Sequence, residues 1–118
     1  MKDATRVRVA AVVAAASLGE KIRGIYDCSS SQHRNAFVAI AGGRVRGYDH
    51  STSSAFSGSS GTLNFYDYDT GKHVHLALDG TTFSGYDCAS QKPFSGRISG
   101  SSISLCDGET GIVYSFRA

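Results

Sequence analysis

The stretch Thr62–Gly80, TLNFYDYDTGKHVHLALDG, decides the fold. Leu63 and Phe65 alternate with Asn64 and Tyr66, and after the turn Val74, Leu76 and Leu78 alternate with His73, His75 and Ala77. A period of two marks strands with one buried face. Between the two runs lies Asp67-Tyr68-Asp69-Thr70-Gly71-Lys72. Asp accepts hydrogen bonds from backbone N–H groups two residues on, and Gly takes the positive-φ position of a bulged hairpin loop. Asp79-Gly80 is a second turn signal at the far end. The stretch is a β-hairpin.

The same pattern recurs outside it. Anchored on Asp67, equivalent aspartates fall at Asp27, Asp49, Asp87 and Asp107, with spacings of 22, 18, 20 and 20 residues. Repetition at such a period predicts an array of like supersecondary units. The chain divides into an N-terminal segment, 1–19, and five hairpin units at 20–42, 43–60, 61–80, 81–100 and 101–118, all in one domain. Counting from each Asp by twos puts Val45, Gly47, Leu63, Phe65, Phe83, Gly85, Ile103 and Leu105 on one face of the outgoing strands. Val38, Ile40, Phe56, Gly58, Val74, Leu76, Leu78, Phe94, Gly96, Ile98, Ile112, Tyr114 and Phe116 share that face on the return strands. The other face carries Arg44, Arg46, Tyr48, Tyr66, His73 and His75. The first unit fits least well, which predicts a bulge or a slipped strand there.

Five hairpins give about ten antiparallel strands, joined in order by short connections such as Gly42-Gly43, Ser60-Gly61 and Asp79-Gly80. A sheet with one apolar face must hide it, and closure also removes the edge strands. The expected fold is all-β: an up-and-down meander barrel of about ten strands. Its alternative is an open, curled sheet with a helix across it. Eight strands already approach the width that side chains can fill. The filler is residues 5–19, TRVRVAAVVAAASLG, rich in Ala and read as a helix that Thr5 caps and Gly19 ends. It plugs the barrel or packs on the apolar face.

Composition bounds the function. A net charge of +2 gives no strong electrostatic case for nucleic acid. Three cysteines leave an odd thiol and favour a reducing, cytoplasmic setting. The alternative is a secreted or periplasmic protein, should Lys2, Arg6, Arg8 and the apolar run to Ala16 act as a signal peptide. The apolar run is too short for a transmembrane helix.

Candidate sites come from positions the repeat makes equivalent. Tyr26, Tyr48, Tyr66 and Tyr86 each precede the anchor Asp on the outer face, offering flat rings with polar tips for a ligand or protein partner. Asp49, Asp67 and Asp87 belong to a ring of carboxylates at one rim, where oxygen donors suit a cation or polar ligand. The competing reading is that each Asp serves its own loop. Cys28, His50 and Cys88 share the position after the Asp, and His73 and His75 project together from one strand; these are weak metal candidates. Equivalent positions lie two strands apart, about 9–10 Å, beyond disulfide reach. No motif of nucleophilic, phosphate-binding or zinc-protease chemistry is present.

In period the unit resembles the hairpin repeats of MORN and choline-binding modules, but their Gly-Trp and Trp-Tyr-Tyr signatures are absent, and no residue role carries over. The expectation is a small binding or interaction module that needs no cofactor and has a small molecule or protein as its partner, with neither nucleic acid nor membrane. It would use the loop rim, the barrel interior or the tyrosine face. The alternatives are a self-assembling structural protein, with homo-oligomers, and a metal-dependent or hydrolytic enzyme.

Overall fold

The computed structural model describes residues 1–58 and 62–118. Among the described residues one helix, α1 (Asp3–Leu18), precedes eleven strands: β1 (Ile25–Asp27), β2 (Gln32–Arg34), β3 (Ala36–Ala41), β4 (Arg44–Asp49), β5 (Ser54–Gly58), β6 (Phe65–Asp67), β7 (Lys72–Asp79), β8 (Thr82–Asp87), β9 (Lys92–Ser99), β10 (Ser102–Asp107) and β11 (Val113–Arg117). All belong to one antiparallel sheet in the order β2-β1-β11-β10-β9-β8-β7-β6-β5-β4-β3. The expected meander is there, and β11 returns to pair with β1 through Tyr26↔Arg117 and Asp27↔Phe116.

The eleventh strand comes from the irregular first unit. β2 and β3 are two halves of one chain segment that changes partner at Asn35: β2 pairs β1, and β3 pairs β4. Ile22 bonds Val38 in both directions, at 2.9 and 2.8 Å, so the approach to β1 is laced to β3 as well. Between the Ile22↔Val38 and Ile25↔Arg34 pairs, one side advances three residues and the other four. That extra residue is the expected bulge, and it bends the segment so that the sheet nearly closes into a barrel. The Ser60-Gly61 connection, and with it the 60/61 unit boundary, lies outside the described residues.

α1 occupies the interior. Val7, Val9, Ala10, Ala11, Val12, Val13 and Ala14 are all at most 1% exposed. A helix apolar on every side belongs inside a core. The small side chains keep the rod near the lower limit of helix diameter, about 10 Å. The wall fills the rest with large groups, including Phe56, Phe65, Phe83, Phe94 and Phe116. The glycines on the inward register make room for those rings. Phe56 stands opposite Gly47, Phe94 opposite Gly85 and Phe83 opposite Gly96. A Cβ on Gly47, Gly85 or Gly96 would lie 2.2–2.5 Å from the facing ring. Ring and glycine together occupy the width of two ordinary side chains.

Three local readings need correction. The helix starts at Asp3 rather than at a Thr5 cap: Lys2 is the N-cap and makes no side-chain capping bond, and Thr5 is fully buried near Asp67. Gly19 ends it as expected, with φ 68° and its N–H on the Ala15 carbonyl. Leu63 packs against the core but precedes β6, because the Asn64 side-chain oxygen, not a backbone carbonyl, accepts the Leu76 N–H at 2.8 Å. Ile112 is 53% exposed, since β11 begins one residue later and only Phe116 is fully inward.

Candidate functional site

The five anchor aspartates share one rim, and their geometry repeats. Oδ1 of Asp27, Asp49, Asp67, Asp87 and Asp107 accepts the backbone N–H two residues on, from Ser29, Ser51, Asp69, Ala89 and Glu109, at 2.9–3.2 Å. Four residues after each Asp the chain takes a left-handed φ of 53–70°, at Ser31, Ser53, Gly71, Gln91 and Gly111. The aspartate is therefore the keystone of its own loop. All five are at most 3% exposed.

Burial of five carboxylates demands compensation, and the helix supplies most of it. Arg8, fully buried, donates to both oxygens of Asp67 at 2.7 Å, to Asp49 at 3.1 Å and to Thr52 at 2.8 Å, and it reaches Asp69 at 3.3 Å. Arg6 donates to Asp107 at 3.1 Å and lies 3.8 Å over the Tyr114 ring. Arg34 of β2 pairs Asp27 at 3.3 Å, and Ser90 Oγ donates to Asp87 at 2.9 Å. Burial works to lower the Arg8 pKa, but hydrogen bonding to Asp67 and the charges of Asp67 and Asp49 outweigh it and hold the guanidinium above its ordinary value. At Asp69 desolvation works to raise the pKa, but the charges and hydrogen bonds of Arg8 and Lys2 together outweigh it and hold the carboxyl below its usual range. Asp49, Asp67 and Asp87 thus spend their oxygens on the protein itself. The Arg6-x-Arg8 pair was visible at the mouth of an otherwise apolar helix; its partners, 59 and 101 residues away for Arg8–Asp67 and Arg6–Asp107, were not.

The metal candidates do not gather. Among the described residues no three His, Cys, Asp or Glu side chains form a metal-binding group. His50 meets Tyr48 edge-on at 4.8 Å, and His73 meets Tyr66 at 4.9 Å. His75 faces Tyr86 across β7 and β8. Cys28 is exposed, Cys88 and Cys106 are half-buried, and all three are unpaired.

The tyrosines stand on the outer wall. Tyr26, Tyr48 and Tyr86 are 38–41% exposed and Tyr66 is half-buried. The fifth copy has Cys106 at this position. The wall is uneven around the barrel. Over β5 its outward side chains are only Ala55 and Ser57, which floor a groove. One bank is Arg44 and Arg46 of β4; the other is Tyr66, Tyr68, His73 and His75. Arg46, Ser57, Tyr66 and His73 are register partners in a single row across four strands. Two strand spacings, about 10 Å, separate the banks. Tyr68 is 60% exposed and meets Tyr66 edge-on at 4.8 Å. A second groove runs from β3 across β4 to β5, lined by Lys21, Phe37, Ala39 and Ala41 together with Tyr48 and Ala55. Neither groove has an acidic residue in its lining. The alternation had placed Arg44, Arg46, Tyr48 and Tyr66 on this face; Tyr68 sat in a turn and gave no sign that it would complete a bank.

Charge is divided accordingly. The rim holds eight acidic side chains (Asp3, Asp27, Asp49, Asp67, Asp69, Asp87, Asp107, Glu109) against six basic ones (Lys2, Arg6, Arg8, Arg34, Lys72, Lys92), a formal −2. The wall and opposite end hold six basic (Lys21, Arg23, Arg44, Arg46, Arg97, Arg117) against Glu20 and Asp79, a formal +4. The overall +2 is a sum of two unlike regions.

No family model, curated protein or solved structure matches the chain. Among the described residues no helix is long and apolar enough to cross a membrane.

Proposed function

We propose that this protein is a small binding module whose recognition surface is the outer wall over β4–β7, and that its ligand is anionic. One observation carries the reading: the groove over β5 has Arg44 and Arg46 on one bank, tyrosines and histidines on the other, and no acidic residue in its lining. Neither arginine has an ion-pair partner among the described residues, so their charge is available to a ligand. The other two surfaces considered are occupied from within. α1 fills the barrel interior, and the rim carboxylates bond their own loops, Arg6, Arg8, Arg34 and Ser90. The near-closure of the sheet also favours binding over self-assembly, because it leaves little free edge for a second copy to extend. Three unpaired thiols accord with a reducing, cytoplasmic setting.

The test uses inorganic polyphosphate as a probe, titrated calorimetrically into the full chain. Wild-type protein is expected to bind it, and Arg44→Ser with Arg46→Ser to weaken binding at least tenfold. Arg97→Ser, on a different part of the wall, is expected to change it little. No binding by wild type, or equal losses from all three sites, would overturn the proposal.

A further inference from the structure

Resting on that reading, we infer that the ligand is a single-stranded nucleic acid, its phosphates on the β4 arginines and its bases against the tyrosine bank. The two banks offer different chemistry at a fixed separation. Arg44 and Arg46, which have no ion-pair partner among the described residues, present guanidinium forks that suit phosphate oxygens. Tyr66 and Tyr68 present rings that meet edge-to-face, and His73 also meets Tyr66 edge-on. Rings held in this way lose little conformational freedom when a flat group stacks on them. Ala55 and Ser57 keep the floor low, so a planar base can enter between the banks.

The ligand must be a polymer to use the whole surface. A second groove continues from β5 across β4 to β3, and Phe37 and Lys21 in it repeat the pairing of ring with cation. A charged backbone with flat groups at regular intervals matches that alternation. A duplex does not, since its bases are already stacked on each other and closed to tyrosine. A neutral glycan matches poorly, because it would leave the charges of Arg44 and Arg46 without a counter-charge. The near-neutral total charge argued against nucleic acid only as an average; the wall meets a ligand with its own local charge.

The measurement is fluorescence anisotropy of a short labelled oligothymidylate with the full chain at low salt. Wild-type protein is expected to bind the single strand at least tenfold more tightly than a duplex of equal length. Arg44→Ser and Arg46→Ser should each reduce the slope of log affinity against log salt by about 0.7. Tyr68→Ala should weaken binding about tenfold, with the salt slope unchanged, whereas Tyr66→Phe should keep it. Polyphosphate competing as well as oligothymidylate, with Tyr68→Ala silent, would overturn this inference and leave the anionic-ligand reading standing. Displacement by polyglutamate at equal charge would overturn it in favour of an acidic protein segment. Failure of both oligothymidylate and polyphosphate to bind would overturn both readings. Thermal melts of each variant separate loss of binding from loss of fold.

Discussion

The rim and the wall both carry arginines and treat their charge in opposite ways. At the rim, aspartates are buried and each finds partners within the chain: a loop N–H for one oxygen, and an arginine, hydroxyl or both for the other. On the wall over β4–β7, arginines are exposed, and rings and histidines surround them without a balancing carboxylate. All five copies of the repeat carry the rim device. The wall's arrangement belongs to one side of the barrel. A feature shared by every copy holds the copies together; a feature confined to some is free to do something else.

The contrast breaks most violently at Arg8. Arg8→Leu would leave Asp49 and Asp67 buried without their cation, and removal of one partner of a buried pair costs about 3–5 kcal/mol. Chemical denaturation should show that loss, and a cost under about 1 kcal/mol would mean that the rim charges are not coupled as described. Adding Asp67→Asn to the Leu variant should recover part of it. Next comes the fit of ring against glycine. Gly47→Val drives a side chain into Phe56, and overpacking of this kind costs about 1–3 kcal/mol. Full stability in that variant would show that the wall can spread.

Asp69 gives a smaller effect, with a defined sign. Its folded-state pKa is depressed, so its contribution is present above the ordinary carboxylate pKa and lost as pH falls through the lower, folded value. Its side chain is 24% exposed, and solvent screening limits the Arg8–Asp69 contact to roughly 0.2–1 kcal/mol. Asp69→Asn should therefore flatten part of the acid limb of a stability–pH curve, and an unchanged limb would remove Asp69 from the account. The smallest effect is expected on the wall. Arg44→Ser and Arg46→Ser should leave stability within about 0.5 kcal/mol, as for most surface changes, while polyphosphate binding falls. A large loss of stability would make these residues part of the scaffold instead.

Much of this scaffold could be read from residues alone, because a hairpin is local. Period-two alternation, an Asp opening each loop and a tight turn closing it lie within about twenty residues, and the barrel follows from the need to hide one face. Even the misfit of the first unit announced its bulge. What stayed hidden was decided at a distance or by substitution of one group for another. The Asn64 amide stands in for a carbonyl of the ladder and shortens β6, which no alternation rule encodes. The glycines on the inward face looked like gaps until Phe56, Phe83 and Phe94 were seen to fill them. The candidate site was legible only in pieces. Tyr48 and Tyr66 were on the page, yet the bareness of Ala55 and Ser57 between them acquires meaning only when β4, β5 and β6 lie side by side.

The pairing of β1 with β11 and of Arg6 with Asp107 has a consequence for how the chain reaches this state. The helix is near the beginning of the chain, yet its surroundings are incomplete until the last strand has met the first, and its arginine completes the loop of the final hairpin. Contacts across such sequence separations must be assembled against loop-closure entropy, which slows folding. The apolar helix is therefore fully enclosed only in a chain whose final hairpin has joined the sheet. A chain truncated before residue 101 would keep four hairpins and the helix but have no means of closing around it.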